Sequence, residues 1–257
     1  MDEEAVRAYR EVMVADPPVA SSPLGAASED FVFGKVWARP GLSRRDRRFV
    51  TLACVCAADA VASIDEQVYA ALASGDITLE ELLEFVLHFA VYCGWPKASN
   101  LEMYVRQTWA RVQEERGEEP TPLPVRPTDV TELGPDDWEV RIARGEQEFR
   151  DVNHVPAPGR DSPYQHAGIL NFVFGHVWQR PGLGRRDRRF LTVACVGVDE
   201  APIPILSHVG SALESGDITR PEMDELILTF RAYDNDERAD ALQAAADSPW
   251  PPVIAPR

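Results

Sequence analysis

The sequence predicts an all-α protein made by duplicating one helical unit, and three observations carry that expectation. Residues 31–56 (FVFGKVWARPGLSRRDRRFVTLACVC) match residues 172–197 (FVFGHVWQRPGLGRRDRRFLTVACVG) at 20 of 26 positions, with a constant offset of 141. The same offset carries ALASGDITLEELLEFVL onto ALESGDITRPEMDELIL without a gap. In both copies apolar residues recur at helical spacing, and strand signals are essentially absent.

Each element follows from local chemistry. A short segment containing Phe31, Phe33 and Trp37 is halted by Pro40-Gly41, and Ser43 then stands where an N-cap hydroxyl accepts an orphan N–H. The helix RRDRRFVTLACVCAADA starts there, with Phe49, Leu52, Ala53 and Cys56 at helical spacing. A second amphipathic helix is predicted over residues 64–74, closed by Gly75 as a left-handed C-cap. Thr78 and Glu81 form a capping box for TLEELLEFVLHFAVYCG, whose apolar period runs through Leu82, Phe85, Phe89 and Cys93. Pro96 opens a further helix reaching Arg116. The second copy gives the same order, with Thr219 and Glu222 as its capping pair. Between the copies, EERGEEPTPLPVRPTDVTELGPDD combines five prolines with charge and has no apolar period, as a solvated connector does. The expected organisation is therefore a first unit over 1–116, a connector over 117–136 and a second unit over 137–257.

Composition bounds the function. A 45% hydrophobic and 26% charged chain of 257 residues is that of an ordinary globular protein. The formal charge of -16 repels phosphate backbones and anionic lipid heads, which argues against nucleic acid or membrane partners. With no long apolar run and an acidic start, MDEEAVRAYREVM, the expected location is the cytoplasm. Cys54, Cys56, Cys93 and Cys195 have no framework spacing and read as reduced thiols. The five histidines are scattered, without H-x-x-x-H or paired C-x-x-C elements, so no metal is expected. Neither a G-x-S-x-G elbow, a P-loop nor a G-x-G-x-x-G fingerprint is present, so no cofactor is expected.

The string FGKVWARPGLSRRDRRFVTLA, the AL…G-I-T turn and EELLEFVLHFAVYCGWPKASN resemble the carboxymuconolactone decarboxylase family, over residues 31–100 and again over 172–233. The resemblance implies a helical bundle of the alkylhydroperoxidase-like fold and assembly into a homo-oligomer, here a trimer of two-unit chains. It implies a cofactor-independent decarboxylase or a thiol peroxidase. At the family's first histidine position stand Gln67 and His208, and the acids usual upstream are replaced by Ala62-Ser63 and Ile203-Pro204, with Asp65 and Glu66 nearby in the first copy. At the second position stand His88 and Thr229. Each copy thus keeps a different histidine, and a pseudo-twofold would let His88 and His208 share one pocket.

Glu84, His88 and Tyr92 are spaced i, i+4, i+8 on one helical face, so Glu84 is expected to orient the His88 imidazole. The RRDRR runs supply Arg44 and Arg185 as candidate clamps for a substrate carboxylate; ion pairing between helices is the alternative use. Phe33, Trp37, Phe174 and Trp178 flank the PGL turns and are candidate walls of an apolar pocket. Cys54 and Cys56 are two residues apart, about 200° around a helix, which sets the thiols on opposite sides and disfavours peroxidase chemistry. The leading expectation is His-mediated proton transfer on a small cyclic carboxylated or enolisable substrate, by decarboxylation, isomerisation or cyclisation. A non-catalytic ligand-binding or scaffold protein is the second reading and a thiol-dependent alkylhydroperoxidase the third.

Overall fold

A computed structural model describes residues 3–123 and 137–251, and every regular element among them is a helix. In the first copy, α1 (Glu3–Met13) and α2 (Pro23–Ala27) precede a π-helical segment, Ser28–Trp37, followed by α3 (Arg44–Ala57), α4 (Val61–Ser74), α5 (Leu79–Cys93) and α6 (Trp95–Glu115). The second copy runs through α7 (Trp138–Asn153), a π-helical segment (Tyr164–Phe174), a short turn of 3-10 helix (Val177–Gln179), α8 (Arg185–Val198), α9 (Pro202–Glu214), α10 (Arg220–Tyr233) and α11 (Asp236–Ala246). No helix among the described residues is long and apolar enough to cross a membrane.

The capping chemistry sits where the sequence places it. Ser43 accepts the Asp46 amide at 3.1 Å, Thr78 and Glu81 exchange both bonds of a capping box, and Gly75 ends α4 at φ 74°. Gly216 repeats that left-handed cap at φ 73°. Helix α4 begins three residues earlier than the apolar period suggests, because the Ala60 carbonyl accepts the Ile64 amide. Of the connector, residues 117–123 are described, and Gln113 on α6 holds part of them through Thr121 and the Glu119 carbonyl. Residues 124–136 lie outside the described residues.

Both copies contribute to one contiguous core. Helix α3 packs against α8 and α10, and α5 against α8. From Phe49 to Cys56 every side chain of α3 is buried, which a helix hydrophobic on all sides requires. Phe49, Phe85, Phe190 and Phe230 are fully buried, each contributing about 1.5–3 kcal/mol of transfer free energy.

The relation between the copies is reciprocal. Arg45 reaches Asp187 at 3.1 Å, and Arg186, 141 residues on, reaches Asp46 at 3.1 Å. Each arginine also binds the capping glutamate of its own copy, Glu81 or Glu222. Most arginines of the RRDRR runs thus form ion pairs, with acids on other helices or on the turns before α5 and α10.

Candidate functional site

Two sites form where α5 or α10 of one copy meets the arginine helix of the other. In one, Trp178 Nε1 donates to the Tyr92 hydroxyl at 3.0 Å, and Arg180 grips Glu84 through two bonds of 2.8 and 2.7 Å. In the other, Trp37 donates to Tyr233 at 2.8 Å, and Arg39 and Arg47 both hold Glu225. Every partner in one site lies 141 positions from its counterpart in the other. The PGL glycines make these pairs sterically possible: a Cβ on Gly182 would lie 2.8 Å from Glu84 Cγ, and one on Gly41 2.5 Å from Glu225 Cγ.

His88 stands at the centre of the first of these sites and is fully buried. Its Nδ1 lies 3.2 Å from Arg188 Nη1, and its Nε2 lies 2.8 Å from Thr192 Oγ1. A guanidinium nitrogen can only donate, so Nδ1 is the acceptor and Nε2 carries the proton that Thr192 accepts. Burial and then the Arg188 charge push the imidazole well below its ordinary value. His88 is therefore a neutral imidazole with both nitrogens engaged. The expected orienting bond from Glu84 is not made, because Arg180 claims both carboxylate oxygens.

His208 joins the same cluster from α9. Its ring lies parallel to Trp178 with centroids 6.2 Å apart and edge-on to Tyr92 at 5.7 Å, while His88 packs against both Tyr92 and Trp178 at 5.1 Å. Burial, and next the nearby Arg189, lower His208 to about 3. Its Nδ1 is buried and has no hydrogen-bond partner among the described residues. Tyr92 is raised above its usual range by burial and keeps its proton.

A cavity of about 320 Å³ opens against this cluster, lined by Tyr92, His208, Phe174, Phe149, Asn153 and Ser207 among others. A second cavity of about 360 Å³ occupies the equivalent place in the first copy, where Tyr233, Gln67, Phe33, Tyr9, Met13 and Glu66 take the corresponding positions. Trp37 and Trp178 lie behind these walls, each bonded to its tyrosine.

Arg44 and Arg185, candidates for clamping a substrate carboxylate, line neither cavity. They bind Asp76 at 2.6 Å and Glu148 at 2.8 Å, since acids at those sites satisfy guanidinium groups on the helix surface. The arginines that reach the site are Arg180 and Arg188, together with Thr192, and none of these was singled out by the sequence. The available signal was that all three recur at the 141-residue offset, as Arg39, Arg47 and Thr51.

All four cysteines are free thiols. Cys54, Cys56 and Cys195 are buried, and burial pushes all three thiols upward, away from the thiolate. Among the described residues, no group of three or more His, Cys, Asp or Glu side chains is placed to hold a metal ion.

Residues 23–106 match the model of the carboxymuconolactone decarboxylase family, about a third of the chain. It is 38% identical over 77 residues to the 4-carboxymuconolactone decarboxylase of Acinetobacter baylyi, a stretch covering 30% of this chain and 56% of that protein. It is 34% identical over 79 residues to the nitrosuccinic acid decarboxylase npaB of Metarhizium robertsii, covering 31% and 54% respectively. The chain spans about half the length of the curated relatives it matches.

Proposed function

We propose that the chain is a cofactor-independent decarboxylase-like enzyme, and that the cavity bounded by His208 and Tyr92 is its active site. The substrate is a small organic acid whose carboxylate neighbours a carbonyl, lactone or other enolisable group. The observation that carries this reading is His208, a cavity-wall imidazole with an unpartnered buried Nδ1.

In decarboxylation the bond from carbon to carboxylate breaks, its electron pair enters the adjacent carbonyl as an enolate, and carbon dioxide leaves. A proton must then reach that carbon. His208 is neutral in the empty cavity, and an anionic substrate beside it offsets the burial that lowers its affinity for a proton. Substrate and proton thus enter together, and His208 delivers the proton to carbon. Tyr92 accepts the Trp178 N–H and keeps its own proton to donate toward the enolate oxygen. His88, held between Arg188 and Thr192, has no free nitrogen for proton transfer; its role is to position Tyr92 and Thr192. The other arm of the sequence expectation, isomerisation or cyclisation, uses the same groups without loss of carbon dioxide.

The experiment is carbon dioxide release from a panel of lactone carboxylates and β-keto acids. The wild type is expected to accelerate at least one, and His208→Ala to lose about a hundredfold in kcat. Saturable binding with no turnover of any acid would favour the ligand-binding reading instead. Assembly as a trimer of chains is a further part of the proposal, read directly from the mass in light scattering.

A further inference from the structure

The cavity of the first copy has the same position as the second but a different polar lining. Glu29, Glu66 and Gln67 line the first, at the 141-residue offset from Leu170, Ser207 and His208, of which Ser207 and His208 line the second. Glu29 and Gln67 are 8% and 5% exposed, and one acceptor oxygen on each, Oε1, is buried without a hydrogen-bond partner among the described residues. The orientation of the Gln67 amide is set by chemistry: its nitrogen faces Met13 Sδ at 3.6 Å, and a thioether can only accept, so the orphan atom is the carbonyl oxygen. Two buried acceptors without donors are costly, and native proteins retain few of them.

The rest of the wall supplies what a positive charge prefers. Tyr9 and Phe33 pack with ring centroids 4.5 Å apart, and Tyr233 closes another side. Among the described residues, the wall carries no Lys or Arg. Buried Arg48 is matched by Asp76 at 2.6 Å and by the Val12 carbonyl. The Tyr9 hydroxyl is pushed upward first by burial and then by Glu66 and Glu29, so both carboxylates project their potential into this space.

We infer that this first cavity is a binding site for a small organic cation, a primary ammonium carried on an apolar body about the size of one ring. The ammonium has three donors and no acceptor, and so satisfies Glu29, Gln67 and Glu66 together. The aromatic rings pack on the adjoining carbons and attract the charge through their faces. At about 360 Å³ the cavity matches the lower end of the usual range for small-molecule sites. Gln67, which neither gives nor takes up a proton, stands on this wall where the other has His208. The duplication has thereby given one chain two cavities with different ligands, and this reading stands whether or not the other cavity is catalytic.

The test is isothermal titration calorimetry of the full chain with benzylamine, using benzyl alcohol and benzoate as controls of similar size. Benzylamine is expected to bind saturably at one site, and neither control is expected to compete with it there. The double variant Glu29→Gln/Glu66→Gln is expected to weaken the amine by at least about tenfold, the scale of a charge-assisted contact. Glu66 is on the exposed rim, so Glu66→Lys leaves the core untouched, and it is expected to abolish amine binding. His208→Gln is expected to leave the amine affinity unchanged. The inference is overturned by any of four results: no saturable benzylamine binding, equal binding of benzyl alcohol, unaltered affinity in the glutamate variants, or loss of binding in His208→Gln, which would put the amine in the other cavity.

Discussion

The two cavities are the same construction carried out twice, and they differ only where chemistry is at stake. Around each, a tryptophan caps a tyrosine, an arginine grips a glutamate across the copies, and a second arginine reaches toward the position of His88 or Thr229. These frameworks are interchangeable in kind. The cavity walls are not: the His208 imidazole stands with Asn153, Asp199 and apolar carbons on one side, and two glutamates with the Gln67 amide on the other. Scaffolding polar groups are kept because removing one strands its buried partner, whereas wall residues face space and can change at little cost to folding.

The largest effects are expected in the shared framework. Glu84→Ala leaves Arg180 buried and unpaired, and Glu225→Ala does the same to Arg47; each is expected to lower unfolding free energy by about 3–5 kcal/mol in urea denaturation. A large loss at one glutamate and none at the other would break the equivalence. Next is Gly182→Ala, whose Cβ would press on Glu84 from a backbone at φ 100°; a loss of about 1–3 kcal/mol is expected.

The pH dependence of stability sharpens the difference between the walls. His208 is lowered to about 3 when folded but takes up a proton near its ordinary value of about 6.5 when unfolded. The unfolded chain therefore binds more protons between these values, and stability falls as pH drops through that window. His208→Gln, which installs the residue of the other wall, is expected to flatten the slope between pH 6 and 4 by up to about 1.4 kcal/mol per unit. An unchanged slope would mean that His208 is already protonated in the fold. The smallest expected effect is in thiol chemistry. Cys54 and Cys56 should react with a disulfide reagent only slowly at neutral pH in the native protein, and rapid labelling would revive the peroxidase reading.

Much of this was legible in the sequence because it is local. Ser43, Gly75 and the pair Thr78 and Glu81 set helix ends within a few residues of themselves, and the repeat gave their counterparts. His88 and His208 stood out by residue type. Their partners could not be found the same way: Arg188 and Thr192 meet His88 only because α5 packs against α8. The expected Glu84 to His88 bond failed for the same reason, since i, i+4 spacing makes the contact possible while a cation from the other copy competes for the carboxylate. Helices α1 and α7 share little sequence yet occupy equivalent places. The Val12 carbonyl takes Arg48 and the Val152 carbonyl takes Arg189, and a backbone acceptor has no signature in residue identity.

The central claim is that proton transfer belongs to one cavity and not to its counterpart. The most direct measurement is incorporation of solvent deuterium into an accepted enolisable acid by the wild type, His208→Gln and Gln67→Ala. The expected result is a loss of at least about a hundredfold in His208→Gln and an unchanged rate in Gln67→Ala. Full exchange in His208→Gln, or equal loss in both variants, would contradict it.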